Sequence, residues 1–265
     1  MALPDPSPKG TALVTGASSG IGAAIARELA SRGHAVTLVA RREERLRSLA
    51  TELTAEYDAD AAAVACDLGD PAERERLASL LGGTGRSVEI LVNNAGFGSR
   101  GDFIANDRDR MLEMVRVNVE AVVDLTSRFL PGMVERGRGA VINVSSVASF
   151  LPGRGGTYGA DKAWVTSFTE AIAGSLAGTG VRAMVLCPGF VRTEFHERAK
   201  IDVGRRAGPF WLDSARVVEE CLADLARGRV VCVPSPQYKA VVAAVNVLPR
   251  PLVRRLVAYG ERTRR

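Results

Sequence analysis

The chain has 265 residues, 46% of them apolar and 25% charged, with 35 basic against 30 acidic side chains and a net charge of +5. That composition supplies a sizeable core and excludes global disorder. Outside the last thirty residues no basic stripe interleaved with aromatics occurs, so no nucleic-acid partner is expected.

Cys66, Cys187, Cys221 and Cys232 form no CxxC pair, and His34 and His196 belong to no HExxH run. No metal site is therefore expected, and the thiols read as buried and reduced, which suits a cytoplasmic protein. No stretch of about 20 apolar residues is present to span a bilayer. The opening segment, Met1 to Gly10, has three prolines and no apolar run, and reads as a loose leader rather than a signal peptide.

Strand-like and helix-like segments alternate along the whole chain, which predicts one α/β domain over residues 1–265. Thr11 to Thr15 is a short apolar strand, followed by a helix from Gly20 with Ile21, Ile25 and Leu29 on one face and Gly33 as its stop. A second strand, Ala35 to Val39, leads to a charged helix from Glu43 to Tyr57, and a third runs from Ala61 to Cys66. Further strands are predicted at Val88 to Val92, Ala140 to Val144, Val181 to Cys187 and Val230 to Val233, with helices over Asp109 to Glu135 and Thr157 to Leu176. Near-continuous apolar strands in this rhythm imply a parallel sheet covered by helices on both faces, a Rossmann-like arrangement.

The strand-to-helix turn Thr15-Gly16-Ala17-Ser18-Ser19-Gly20-Ile21-Gly22 carries the first sign of chemistry. Glycines there allow a tight turn and a close backbone approach, and the backbone N–H groups at the helix start can meet a pyrophosphate. No Gly-Lys-Ser/Thr closes the loop, so it is not a nucleotide-hydrolase phosphate loop. At the end of the second strand, where a carboxylate usually holds a ribose 2′-hydroxyl, the chain has Ala40 and then Arg41 and Arg42. Guanidinium groups fit a 2′-phosphate, which points to NADP(H). Asp67 is placed to accept from an adenine amine, with Leu68 beside it.

Tyr158 and Lys162 lie one helical turn apart. A free phenol has a pKa of about 10, and a neighbouring ammonium lowers it toward useful acid/base work. Ser145 and Ser146 end a strand at the sheet edge where such folds bind ligands, and either hydroxyl can donate to a substrate carbonyl. Asn118 is a polar residue in an apolar helical stretch and must find partners; it can kink its helix around a water leading to Lys162. Asn93-Asn94-Ala95-Gly96 and Pro188-Gly189, with Val191 and Thr193 beyond, follow two further strands, and Thr193 can bond a nicotinamide carboxamide.

Together these motifs resemble the short-chain dehydrogenase/reductase (SDR) family, over about residues 10 to 195 with a compatible tail to about 235. The resemblance implies a seven-stranded parallel sheet and a catalytic set of Asn118, Ser146, Tyr158 and Lys162. It also implies cofactor contacts from Gly16, Ser18, Ser19, Gly20, Ile21 and Gly22, from Arg41, Arg42, Asp67 and Leu68, from Asn94, Ala95 and Gly96, and from Tyr158, Lys162, Pro188, Gly189, Val191 and Thr193. The Ser146–Tyr158 spacing is one residue shorter than is common in the family, so Ser145 stays a candidate. Asp161 stands where the family often has serine, and no role is assigned to it.

The activity implied is hydride transfer between NADP(H) and a carbonyl or alcohol; the alternative is an inactive dinucleotide-binding sensor or scaffold. Ser146 lies in no GxSxG elbow, so a serine hydrolase built on it is not expected. Residues 190–212 are expected to form a substrate lid, with Phe195, Phe210 and Trp211 as apolar walls for a hydrophobic ketone or alcohol. Residues 238–265 read as a helical extension. Val241, Val245 and Leu248, and then Leu252, Val253, Leu256 and Val257, give apolar faces edged by arginines, with Glu261 as the one acid after Lys239. Packing on the pocket or on another subunit of a homodimer or homotetramer is the favoured reading; an amphipathic foot on an anionic membrane and a loosely ordered tail are the others.

Overall fold

The computed structural model describes residues 3–98, 103–152, 156–195, 208 and 210–262. Seven strands form one parallel sheet: β1 (Gly10–Thr15), β2 (Val36–Ala40), β3 (Ala61–Ala65), β4 (Ser87–Asn93), β5 (Gly139–Val144), β6 (Val181–Leu186) and β9 (Val231–Cys232). Their order is β3-β2-β1-β4-β5-β6-β9. The short strands β7 (Phe190–Val191) and β8 (Trp211–Leu212) pair separately. The helices are α1 (Gly20–Ser31), α2 (Glu43–Tyr57), α3 (Pro71–Gly83), α4 (Arg108–Val115), α5 (Ala121–Glu135), α6 (Gly156–Ser175), α7 (Ser214–Ala226), α8 (Pro236–Val247) and α9 (Arg250–Arg262).

Strand residues alternate between two cores, as a period of two requires. Ala12, Val14, Ile90, Val92, Ala140 and Ile142 join one apolar cluster with Ile25, Leu29 and Val217. Leu13, Leu91 and Val141 join the other with Leu77, Leu125 and Met133. Both faces are therefore dry, which explains why the strands read as unbroken apolar runs. Burying a leucine of this kind contributes about 1.5–3 kcal/mol. The expected Rossmann-like sheet is what the chain forms, with strand ends displaced by a residue or so and the last strand cut to Val231–Cys232.

Several elements depart from expectation. Helices α3 and α7 lie where no element was expected from the sequence; each starts on an aspartate cap, Asp70 accepting from Ala72 N and Asp213 from Ala215 N. The helix expected over Asp109 to Glu135 is broken by a π turn at Arg116–Glu120, between α4 and α5. The leader is not loose where it is described: Leu3 packs on the core, and Ser7 Oγ donates to the buried Glu89 (2.9 Å). In α8 the buried side chains are Tyr238 and Val242, one position off the expected Val241–Val245 face. In α9 Val253 is buried, while the side chains of Leu256, Glu261 and Arg262, and residues 263–265, lie outside the described residues. Residues 196–207 and 209 of the expected lid, His196 among them, also lie outside them.

The four cysteines are free and buried. Burial pushes their thiols up, to about 11 at Cys66 and about 12 at Cys187 and Cys221. Among the described residues no helix is long and apolar enough to cross a membrane. None of their His, Cys, Asp and Glu side chains gather into a metal-holding group.

Candidate active site

The chain leaves β1 toward β2 on one side of the sheet and returns through β4 on the other, so the C-terminal ends of β1 and β4 flank a crevice at a topological switch point. The glycine loop leaves β1 there. Gly16 and Gly20 have φ of 64° and 61°, open to glycine at little cost. A Cβ on Gly22 would sit 2.6 Å from Gly16 O and closer still to Asn94 Nδ2, so only glycine fits.

One hydroxyl fastens this loop to the end of β4. Thr15 Oγ1 donates to Val92 O (3.1 Å) and accepts from the N–H groups of Asn94 (2.9 Å) and Ala95 (3.0 Å). Asn94 Nδ2 in turn donates to Thr15 O (2.8 Å). Beneath it runs a buried polar chain, Thr126–Asn93–Asn143–Thr169, with Asn93 Nδ2 donating to Asn143 Oδ1 (2.9 Å) and Asn143 Nδ2 to Thr169 Oγ1 (2.9 Å). Each amide is satisfied inside the core, as buried polar groups must be.

Helix α1 starts at Ser19 without a side-chain cap and with no acidic residue in its first turn. Its N-terminal dipole thus faces the crevice without an attached carboxylate. The neighbouring arginines diverge. Arg42 turns over the loop, with Nη2 donating to Ser18 Oγ (2.7 Å) and Ser19 Oγ (3.0 Å) and Nη1 to Glu194 Oε2 (3.1 Å). Arg41 points the other way, 3.4 Å from Glu113 Oε1 and 3.9 Å from Asp67 Oδ2. Asp67 Oδ1 accepts from Gly69 N (2.9 Å), and Leu68 is buried with its carbonyl accepting from Arg74 Nη1 (2.7 Å). A glycine cradle that no Cβ can enter, an uncapped helix start and a guanidinium on the loop fit a nicotinamide dinucleotide.

The expected reacting groups converge beside this cradle. Gly96 lies against both Asn118 and Lys162: a Cβ there would be 2.8 Å from Asn118 Oδ1 and 3.4 Å from Lys162 Nζ. Gly98 touches the Tyr158 ring in the same way, at 3.4 Å, and Phe195 at 3.5 Å. Lys162 Nζ stands 5.8 Å from the Tyr158 ring centroid and donates to Val144 O (2.8 Å). Burial pulls the lysine down to about 8, with the Asp161 charge opposing that fall.

Asn118 sits in the π turn, fully buried. Its side chain accepts from Phe97 N (3.1 Å) and donates to Phe97 O (3.0 Å) and to Asp161 Oδ2 (3.0 Å). Both amide protons are spent, so what the turn can offer a neighbour is backbone carbonyl. Asp161, without a role in the sequence, is thus the buried partner of Asn118. Burial pushes its carboxyl up, against the lowering effect of Asn118 and Lys162.

The two serines separate. Ser145 is buried, its Oγ 2.8 Å from Lys162 O and 2.9 Å from Thr166 Oγ1, tying β5 to α6. Ser146 is half-buried and accepts from Ala148 N (3.2 Å), which leaves its own proton to give.

Pro188, Gly189, Val191 and Thr193 follow β6. Thr193 packs on Gly20, within 3.0 Å of where a Cβ would be, and its Oγ1 accepts from Phe195 N (3.3 Å). Val191 is buried in β7. Gly189 lies under the ring of Tyr238, whose hydroxyl accepts from Phe190 N (2.9 Å) and donates to Phe210 O (2.8 Å). Of the expected apolar walls, Phe195 faces Tyr158 (centroids 5.7 Å apart). Trp211 and Phe210 instead pack on Phe190 and Tyr238. Sequence reasoning had Thr15 in the glycine loop but not its clasp on β4, and missed Glu194 and Tyr238; of these two the tyrosine alone had a local signal, as the aromatic at the head of the apolar face of α8.

A nucleotide cradle beside a tyrosine–lysine pair defines the class, that of dinucleotide-dependent oxidoreductases. Residues 10–203 match the sequence model described as short chain dehydrogenase. A short chain dehydrogenase of Pseudocercospora fijiensis is 41% identical over 187 residues, 69% of this chain and 60% of that protein. An NADP-dependent 3-hydroxy acid dehydrogenase of Salmonella typhi is 38% identical over 69% of this chain and 73% of its own length. A solved short-chain dehydrogenase from Sphingobium yanoikuyae, in complex with NADPH, is 33% identical and covers 89% of this chain and 93% of its own, with a TM-score of 0.80. This chain therefore spans less than two thirds of the first relative's length. The chain belongs to the short-chain dehydrogenase family, whose members are NAD(P)(H)-dependent oxidoreductases. Structures of this fold are known with NADPH and with NAD.

Proposed function

We propose that the protein is an NADP(H)-dependent reductase of hydrophobic ketones, or dehydrogenase of the matching secondary alcohols, with Asn118, Ser146, Tyr158 and Lys162 as its catalytic set. The observation that carries the cofactor choice is Arg42, whose guanidinium lies on Ser18 and Ser19 at the head of the glycine loop. A 2′-phosphate meets a charge-assisted, forked donor there, whereas an NAD(H) ribose would gain nothing from it. Arg41, turned to Glu113 and Asp67, then borders the adenine side.

The bound nucleotide supplies the hydride; the chain supplies position and protons. In reduction Tyr158 gives its phenolic proton to the oxygen that becomes the alcohol, and Ser146 donates to the same oxygen. Lys162, as ammonium, favours the phenolate that Tyr158 leaves behind. Asn118 holds the π turn so that its backbone carbonyl can hold a water that carries protons toward Lys162, and Asp161 holds Asn118. Ser145 keeps β5 on α6 and takes no part in the chemistry, and its two buried bonds support Ser146 over it. Phe195 beside Tyr158, with Phe103 and Ile104 exposed in a turn just before α4, favours an apolar substrate.

Initial rates with NADPH and NADH on one bulky ketone test the reading. kcat/KM for NADPH should lead by at least about tenfold, ~1.4 kcal/mol. A lead for NADH would overturn it.

A further inference from the structure

Glu194 lies against Arg42, the guanidinium proposed above to meet the 2′-phosphate. Its Oε2 is 3.1 Å from Arg42 Nη1, and its Oε1 is 2.6 Å from Arg45 Nη1. Arg42 reaches the glycine loop with its other edge, through Ser18 and Ser19. Arg27, which lines the same cleft of about 290 Å³ as Ser18, Ser19, Arg45 and Glu194, is already matched by Glu52 (2.6 Å). The anionic place between Arg42 and Arg45 is thus filled by a carboxylate that the chain itself provides. We infer that Glu194 is a competitor built into the chain for the cofactor's 2′-phosphate, and so sets how tightly, and how selectively, NADP(H) binds.

The inference rests on the NADP(H) reading above and adds a residue to it. A guanidinium has five donors in a planar fork, and Arg42 has two edges engaged. A ribose phosphate with close to two negative charges reaches that fork only by displacing a carboxylate of one charge or by sharing the cations with it. Either course makes Glu194 oppose the phosphate. The opposition is modest, because Glu194 and both arginines are about a third to a half exposed. An NAD(H) ribose brings no phosphate to this place and leaves the two ion pairs alone. The carboxylate therefore weakens one cofactor and not the other. Sequence position gives the contact reach: Thr193, next to it, packs on Gly20, and Phe195, on its other side, faces Tyr158. What happens at the phosphate end is thus one residue from the reacting end.

The test is binding without turnover, on the full chain, by calorimetric titration of wild type and Glu194→Gln. The glutamine keeps the shape and removes the charge. NADPH and adenosine 2′,5′-bisphosphate should bind Glu194→Gln about three- to tenfold more tightly than wild type, the size expected for two half-exposed ion pairs. NADH and ADP should bind both proteins alike within about twofold. Weaker NADPH binding by the variant would overturn the inference and make Glu194 a support that holds Arg42 in place. Unchanged NADPH binding, or equal gains for NADPH and NADH, would overturn it too. Should wild type itself bind adenosine 2′,5′-bisphosphate no better than ADP, the NADP(H) reading fails first and the competitor falls with it, a result distinct from the others.

Discussion

Replacing Tyr238 by phenylalanine tests whether the C-terminal extension holds the segment that carries Thr193 and Phe195. The ring would still lie on Gly189, so packing is kept and only the hydroxyl is lost. That hydroxyl accepts from Phe190 N at 2.9 Å and donates to Phe210 O at 2.8 Å, joining β7 to the residue just before β8. Phe210 is 47% exposed, and its carbonyl can turn to water. The half-buried N–H of Phe190 is harder to satisfy, so the loss should come to about 1–2 kcal/mol. For a chain of this length each kcal/mol moves the melting temperature by roughly 2–4 °C, which predicts a fall of about 2–8 °C. Scanning calorimetry reads the melting temperature, and initial rates read KM for the ketone, which should rise because Phe195 is five residues beyond the cut bond to Phe190 N. An unchanged melting temperature together with an unchanged KM would refute the reasoning.

The two serines should part in their variants: Ser146→Ala loses most of the turnover at near-normal stability, while Ser145→Ala, which removes a buried tie to Lys162 O, lowers the melting temperature more than the rate. The reverse ranking of kcat would move the substrate contact to Ser145. Asp161→Asn keeps an oxygen for Asn118 and drops a charge beside Lys162. Wild-type kcat/KM for NADPH, which reports the free enzyme, should fall as pH rises through about 8, where the buried Lys162 loses its proton. Without the aspartate's charge to support the ammonium, the same fall should come at lower pH in the variant; superimposable profiles would show that Asp161 does not act on Lys162.

What could be read from the sequence was local. The glycine loop, the arginine pair, the Tyr158–Lys162 turn and the apolar strands each lie within a few residues, and the fold sets the apolar strands in one sheet with the glycine loop at the end of β1. The rest depends on partners that folding brings together from afar. Asn118 meets Asp161 across 43 positions, Thr15 meets Val92 across 77, and Arg42 meets Glu194 across 152. A kink at Asn118 was expected, but not its form: an amide in an apolar stretch calls for partners without saying that the helix must widen into a π turn to give them. Ser145 and Ser146 look alike in sequence and differ only because the strand sends one side chain into the core and the next into the cleft.

The central claim is that Tyr158 gives the proton in a reduction driven by NADPH. Its most direct test is NADPH oxidation with a panel of hydrophobic ketones, by wild type and by Tyr158→Phe, alongside NADPH titration of both. Wild type should consume NADPH and form an equal amount of alcohol. The variant should bind NADPH within about threefold of wild type and turn over roughly a hundredfold more slowly or worse. Near-normal turnover by the variant would give the proton to another residue, and a wild type that binds NADPH yet reduces none of the ketones would make the protein a sensor instead.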